Sequence, residues 1–463
     1  MITRRRLLGG SAAMVALSPA FPSFATTPKS LVTQSAGVQI VPDAYPETRV
    51  WRYALNGQTG SGTGPVIRAR QGDRLSLRLE NGLADPTTIH WHGIRIENGM
   101  DGVPGVTQPP VGPGGRFDYS FDLPDAGTYW YHSHVDSVAQ IARGLHGPLI
   151  IDEAEPIDVD EDLVLVLDDW RLDDNAQIIE DFENGHDRSH AGRIGNVVTT
   201  NGEMDWRHEV SSGARLRLRL INVANARVFD LGLSGLSGWV VALDGMPLEA
   251  PRALDGQFAL GPAQRMDLIV DIGAPSGDEV GIVEFVRGEA YAQATFVVGD
   301  GARTRAAPPA PLPPNPDFGR PDLANARVFE VRMEGGAMRW LVDAMSGGEV
   351  KDGRTLAGEG LFWALSGQAG RPETPLADLA RGETVRVDFV NETAFPHAMH
   401  LHGHHFWELD AAGALGDFRD TTLVAPGETR RTVFVAHNPG DWLLHCHMLG
   451  HHASGMGTWV RVA

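Results

Sequence analysis

Apolar and polar residues alternate along short stretches of this chain, and one such stretch returns three times. Gly72 to Asn81 reads G-D-R-L-S-L-R-L-E-N, Gly213 to Asn222 reads G-A-R-L-R-L-R-L-I-N, and Gly382 to Asn391 reads G-E-T-V-R-V-D-F-V-N. A two-residue period is that of a strand with one face turned to a core. Helical periodicity is scarce, and 55 glycines and 30 prolines punctuate the alternating runs. The pattern predicts an all-β protein of β-sandwiches joined by turns. Three copies in 463 residues predict three domains of ordinary size. The first is expected over residues 38–153 and the second over 160–300. Residues 301–324 include A-R-T-R-A-A-P-P-A-P-L-P-P-N-P and are expected to be a stiff, extended linker. The third domain is expected over 325–463. The polar tract E-N-G-H-D-R-S-H, from Glu183 to His190, reads as a surface loop.

Histidines interrupt this pattern with a regularity of their own. Four pairs share the spacing H-x-H: His90 and His92, His132 and His134, His400 and His402, His445 and His447. H-W-H-G follows Asn81 at the same offset as H-L-H-G follows Asn391. At that offset from Asn222 stand Leu231 and Leu233, so the middle copy keeps the strand and lacks the histidines. Further on, G-T-Y-W-Y-H-S-H (Gly127 to His134) matches G-D-W-L-L-H-C-H (Gly440 to His447), with Ser133 in the place of Cys446. Two related units thus present four imidazoles each, which suggests a metal cluster clamped between them across a pseudo-twofold axis.

Cys446, the only cysteine, lies inside the last pair. On a strand it must face away from His445 and His447, so one strand can touch one metal centre with its imidazoles and a second with its thiolate. The motif continues H-C-H-M-L-G-H-H-A-S-G-M to Met456, and His397 precedes the third pair. Two imidazoles, a thiolate and a weak thioether (His397, His451, Cys446 and Met456) are the ligands of a blue-copper electron-transfer site. A structural zinc site more often uses several cysteines and needs no methionine. The paired histidines suit a cluster of copper ions with exchangeable positions for oxygen.

The N-terminus reads as an export signal. Thr3-Arg4-Arg5-Arg6-Leu7-Leu8 has the twin-arginine pattern, and a short apolar run ends at Ser23-Phe24-Ala25. Cleavage after residue 25 by the Tat export machinery would leave a periplasmic protein with no membrane span. One cysteine excludes an intramolecular disulfide framework. A formal net charge of -20 argues against nucleic acid as a partner and is compatible with cationic substrates or simply with solubility.

Taken together, H-W-H-G, H-S-H, H-A-M-H-L-H-G-H and H-C-H-M-L-G-H-H-A-S-G-M resemble the four copper signatures of the multicopper oxidases. The chain is most similar to the three-domain bacterial laccases and copper-efflux oxidases of that family, over essentially its whole length. The resemblance implies three cupredoxin-like Greek-key β-sandwich domains and four copper ions. It implies a type 1 copper at His397, Cys446, His451 and Met456 and a type 2 copper at His90 and His400. It implies a type 3 pair at His92, His132, His134, His402, His445 and His447. A reducing substrate would lose electrons one at a time at the type 1 copper. They would pass from Cys446 through His445 and His447 to the cluster, where dioxygen is reduced to water. Asp101, in M-D-G, matches an acidic residue that the family uses for proton delivery; the other reading is a turn Asp before Gly102.

The chain also departs from the family pattern. Where family members carry a glutamate near the end of the H-C-H segment, this chain has Leu449, Gly450 and His452. His452 is either a proton relay or an ordinary histidine beside the site. Of His146, His186, His190, His208, His404, His405 and His437, most are expected on loops or the surface, and His186 with His190 as at most a weak metal pair. Trp91 and Trp442 are expected to pack the core. Met333, Met338 and Met345 make no methionine-rich tract and are expected in core or loop packing. Glu408, Asp417 and Asp420 are candidates near the substrate approach, with Asp420 expected to be structural. A copper-binding or copper-tolerance protein without turnover is the alternative function, disfavoured because storage needs no oxygen-type cluster. The residues leave a phenol, cuprous ion and manganous ion open as substrates.

Overall fold

The structure is a computed structural model that describes residues 28–463 apart from 61, 63, 302–304, 306 and 317–318. The twin-arginine leader lies outside the described residues. The three copies of the alternating run form the strands Arg74–Asn81, Arg215–Asn222 and Thr384–Asn391, and all three have the same neighbours. Each lies parallel to the strand that opens its unit: Lys29–Val38, Glu161–Trp170 and Arg327–Gly335. On its other side each pairs antiparallel with Arg116–Asp122, Arg265–Asp271 or Thr429–Val435. A second sheet covers each of these, giving three cupredoxin-fold sandwiches in an all-β chain. The first sheet begins at Lys29 and so extends ahead of Val38, where the alternation makes the first domain begin. K-S-L-V-T-Q-S-A-G-V has too few apolar positions to announce itself as a strand; pairing on both sides holds it in place.

The asparagine that ends each repeat explains the constant offset to the histidines. Asn81 Nδ2 donates to the carbonyls of Asp85 and Val111, while its Oδ1 accepts from Leu83 N. Asn222 does the same with Arg227 O, Leu260 O and Ala224 N. Asn391 repeats it with Phe395 O, Val424 O and Thr393 N. One buried amide thereby closes the loop that delivers the chain into the next sheet at a fixed distance.

Packing sets the middle unit apart. Leu77, Leu79, Val385, Val387 and Phe389 belong to one continuous buried cluster running through the first and third sandwiches. Leu216, Leu218 and Leu220 pack in a separate core. The alternation puts Arg215, Arg217 and Arg219 on the polar face of their strand, yet all three are buried. Arg217 is bonded to Asp267 (2.6 Å) and Glu153 (2.8 Å), and Arg219 to Asp162 (2.7 Å) and to Thr128 Oγ1 of the first sandwich (3.0 Å). Guanidinium–carboxylate pairs let a charged face be buried between sandwiches. The proline-rich stretch has no regular structure over residues 307–316, but it is pinned at both flanks. Leu312 packs on Val241 and Ile269, and Asn315 makes a two-way bond with the backbone of Ala126 (2.8 Å each). Among the described residues, no helix is long and apolar enough to cross a membrane.

Asn222→Ala would leave two carbonyls and one amide unpaired in the second sandwich, with no histidine nearby in the chain. We expect a loss of about 2–4 kcal/mol, read as a lowered urea midpoint. An unchanged midpoint would refute the loop-closing role.

Candidate metal centre

The histidines are placed by strand pairing. In the first sandwich His90–His92 lies antiparallel to Gly127–His132 with His90 opposite His132. In the third, His397–Leu401 lies antiparallel to Gly440–Cys446 with His400 opposite His445. Side-chain alternation sends Trp91 into the core between its two histidines, and Trp442 is equally buried. The glycines after the H-x-H pairs have steric reasons. Gly93 has φ +86°, and a Cβ there would lie 2.3 Å from the Arg265 guanidinium. Gly403 has φ +65°, and a Cβ would lie 2.4 Å from the Trp442 ring.

Across the interface the two sandwiches interleave their rings. His90 stacks on His402 (centroids 4.0 Å apart) and His92 on His400 (3.8 Å), which gives the site its approximate twofold character. Three groups have ligand atoms all within 4.8 Å of one another: His90, His92 and His400; His92, His132 and His447; His134, His402 and His445. All eight histidines are buried. Burial, the largest cause, and the neighbouring imidazoles hold His92, His132, His134, His402, His445 and His447 well below the ordinary imidazole range. These rings are therefore neutral, with lone pairs to offer.

The free lone pairs face inward. Nδ1 of His90, His132, His400 and His445 is engaged by a backbone carbonyl, of Asp101, Ser133, Asp420 and Cys446 respectively. A carbonyl can only accept, so Nδ1 carries the proton and Nε2 is left for a ligand. Nε2 of His90, His132 and His400, Nδ1 of His92 and both nitrogens of His447 are buried without a partner. A buried cluster of imidazole nitrogens without protein partners is what a multinuclear site of imidazole-bound copper requires.

Cys446 faces the other way. Its Sγ lies 3.6 Å from His397 Nδ1 and 3.7 Å from His451 Nδ1, and the two nitrogens are 3.0 Å apart. His397 Nε2 is bonded to Thr393 Oγ1 and His451 Nε2 to the His190 carbonyl, so both rings turn Nδ1 toward the sulfur. Met456 is buried in the same turn, its carbonyl accepting from Cys446 N and its amide donating to His451 O. Burial pushes the Cys446 thiol up to about 12, so a metal ion must displace its proton. Two imidazoles and a thiol that meet in this way, with a methionine held in the same turn, fit copper.

Around the ligands lies a ring of polar groups. Asp101 Oδ2 is 3.0 Å from His402 Nδ1 and its Oδ1 is 3.2 Å from His90 Nδ1, so this carboxylate touches both sandwiches. Asp420, expected to be structural, is buried at the histidine cluster. Its Oδ1 is 3.2 Å from His92 Nε2, and both its oxygens are held by Arg265 of the second sandwich at 2.9 and 2.5 Å. Arg265 also donates to Thr128 O of the first sandwich (3.2 Å). Nothing in the sequence marks Arg265, because the contact joins segments with no common motif. Glu408 is bonded to Thr422 and Arg430, and Asp417 pairs with Arg252.

Several further expectations change. His146, His404 and His405 are buried: His146 is bonded to Asp168, His404 to the His402 carbonyl and His405 to the Asp244 carbonyl. Met333 lies in the core, as expected, whereas Met338 and Met345 are exposed. His452 packs 4.3 Å from the His445 ring. The tract from Glu183 to His190 is no free loop. It contains the one-turn helix Gly185–Ser189, capped by the Asn184 side chain, and contacts the helix Leu449–Ala453 that carries His451.

Comparison with known proteins agrees with this site. Multicopper oxidase family models match residues 36–156, 161–279 and 345–463. Multicopper oxidase MmcO of Mycobacterium tuberculosis is 33% identical, over 85% of this chain and 80% of that protein. A multi-copper oxidase from Pseudomonas Thermotolerans superposes with a TM-score of 0.81 at 34% identity, covering 94% of this chain and 98% of that one. Lac15 from a marine microbial metagenome gives 0.76 at 41% identity, covering 94% and 100%. The chain belongs to the multicopper oxidases, in their three-domain bacterial form. It is therefore a copper-dependent oxidoreductase that oxidises a reducing substrate and uses dioxygen as the acceptor.

The neutral, buried imidazoles have a consequence for the copper-free protein. Below about pH 6.5 the unfolded chain takes up protons on these histidines that the folded chain refuses, so folding stability falls as pH drops. Copper-free protein should melt several degrees lower at about pH 5 than at about pH 7.5. Equal midpoints would contradict a neutral cluster.

Proposed function

We propose that this oxidase works through four copper ions held at two centres. The type 1 ligands are His397, Cys446, His451 and Met456. His90 and His400 take the type 2 ion, and the type 3 pair falls to His92, His132 and His447 and to His134, His402 and His445. The observation that carries this reading is the opposed facing of one short segment. His445 and His447 join orphaned imidazoles on one side while the thiol between them meets His397 and His451 on the other. When bound, copper supplies one-electron oxidation of the reductant at one centre and four-electron reduction of dioxygen to water at the other.

The chain's own part is to bind, orient and connect. Cys446 is joined to each of His445 and His447 by a single peptide bond, a short covalent path between the centres. Arg265 and Asp420 hold the His92 ring, and the backbone carbonyls fix the tautomers of four others. Asp101 sits where a carboxylate can pass a proton to the cluster beside His402. The reductant is a small molecule or metal ion. The leader supports export by the twin-arginine machinery and a periplasmic location. We assign the domains to 38–153, 160–300 and 325–463, extending the first back to Lys29 to include its opening strand.

Cys446→Ser is expected to abolish the blue absorption and nearly all turnover while the other three coppers stay bound, as metal analysis and spin resonance will report. A variant that remains blue rules out Cys446 as the type 1 ligand. Asp101→Asn is expected to slow reoxidation by dioxygen by about tenfold or more and to leave anaerobic bleaching by the reductant nearly unchanged. Equal slowing of both half-reactions in stopped flow would reduce Asp101 to a turn residue.

A further inference from the structure

The type 1 histidines are wholly shielded: His397 and His451 are each 0% exposed. No reductant can touch either ring. What covers His451 is the second sandwich's segment Asn184 to His190, and it is firmly attached. His451 Nε2 donates to His190 O (2.7 Å), and Trp363 Nε1, whose ring packs on His451, donates to Arg188 O (2.6 Å). Arg188 reaches Ser454 Oγ (2.8 Å) and Ala453 O (3.0 Å), and Ala337 N donates to Ser189 O (2.8 Å). Five hydrogen bonds hold the cap over the ring. The His190 carbonyl is the polar link from the cap's backbone to the buried imidazole.

The outer side of this cap carries two histidines one helical turn apart. His186 and His190 stack with centroids 3.9 Å apart and planes 13° apart. Two histidines at i and i+4 lie on one helix face, a spacing that chelates transition metals. His190 Nδ1 donates to the His186 carbonyl (2.9 Å), which leaves Nε2 as the lone-pair nitrogen. Ligand histidines are commonly oriented in this way, the other ring nitrogen held by a backbone carbonyl. His186 is exposed, and no hydrogen bond engages its ring nitrogens among the described residues. Stacked rings do not aim their lone pairs at one point, so the His186 ring must turn out of the stack for both to reach one ion. Asn184, which caps this turn through His186 N (2.9 Å), also lines a cavity of about 620 Å³. Asp85, Asp136, Glu180, Asp181 and Glu183 line that cavity; Glu180 is paired with Arg143, Asp181 with Arg193 and Arg171, and Glu183 with Arg188, so the negative charge offered to a cation at the foot of the cap rests chiefly on Asp85 and Asp136.

We propose that His186 and His190 form the docking site for the reductant, a late first-row transition-metal cation in its lower oxidation state. This rests on the type 1 reading of Cys446. The docked cation loses one electron, which enters through the His190 carbonyl and the His451 hydrogen bond, and the oxidised cation departs. Four such events supply the four electrons that, with four protons, convert one dioxygen to two waters. Imidazole donors favour copper or iron over manganese, which prefers oxygen ligands, and the sealed His451 edge disfavours direct contact by a phenol.

The test uses copper-loaded enzyme and the double variant His186→Ala/His190→Ala, which keeps the His190 carbonyl. Silver ion, a redox-inert stand-in for cuprous ion, is titrated calorimetrically, and cuprous ion serves as substrate. Wild type should bind one more silver ion than the variant. The variant's KM for cuprous ion should rise at least tenfold while kcat changes less than twofold, with the blue band retained. Equal silver binding and an unchanged KM would overturn the site. A wild type whose preferred substrate is a phenol, oxidised equally by the variant, would overturn the substrate class. Loss of the type 1 reading would show separately, as a blue band that survives Cys446→Ser.

Discussion

Neighbouring residues on a strand face opposite ways, and at His445, Cys446 and His447 that constraint sets two candidate metal centres back to back. The thiol lies among His397 and His451, and the flanking imidazoles lie among those of the first sandwich. The rest of the molecule keeps this one segment in register. Pairing of His400 opposite His445 fixes its lateral position, and the repeated asparagine fixes where the partner strand begins. A shift of one residue would exchange the faces and place sulfur in the histidine cluster.

The middle sandwich carries no cluster histidines, yet both centres depend on it. Its Arg265 is buried between Asp420 of the third sandwich and Thr128 of the first, beside the cluster. Its segment from Asn184 to His190 closes the other centre. A buried guanidinium needs several acceptors in fixed places, so it determines relative position as well as adding attraction. That requirement also accounts for Gly93, whose missing side chain makes room for the guanidinium.

What could be read from the chain was whatever local periodicity and spacing encode. The three alternating runs, the copy that has Leu231 and Leu233 in place of histidines, and the opposed facing of Cys446 all follow from a two-residue period. Contacts between distant segments left no such mark. Asp420 could be read as structural from R-D-T-T, but its place beside the cluster could not, because it depends on Arg265, 155 residues away. The tract from Glu183 to His190 looked like a solvated loop because its tie to the third sandwich runs through one side chain, Arg188, and a few backbone carbonyls. Arg217 and Arg219 alternate as an exposed face would, and only the packing of a second sandwich against them shows that they are buried.

The cross-stacking of His90 on His402 and of His92 on His400 also bears on how the protein is made. Asp101 and His402 meet across 301 residues of sequence, and the segment with Cys446 comes later still. During synthesis the first sandwich can fold as soon as it emerges, but its four imidazoles then line a half-site facing solvent. The segment from His445 to His447 completes both groups. A chain cut before that segment therefore has neither group finished, however well its first sandwich folds.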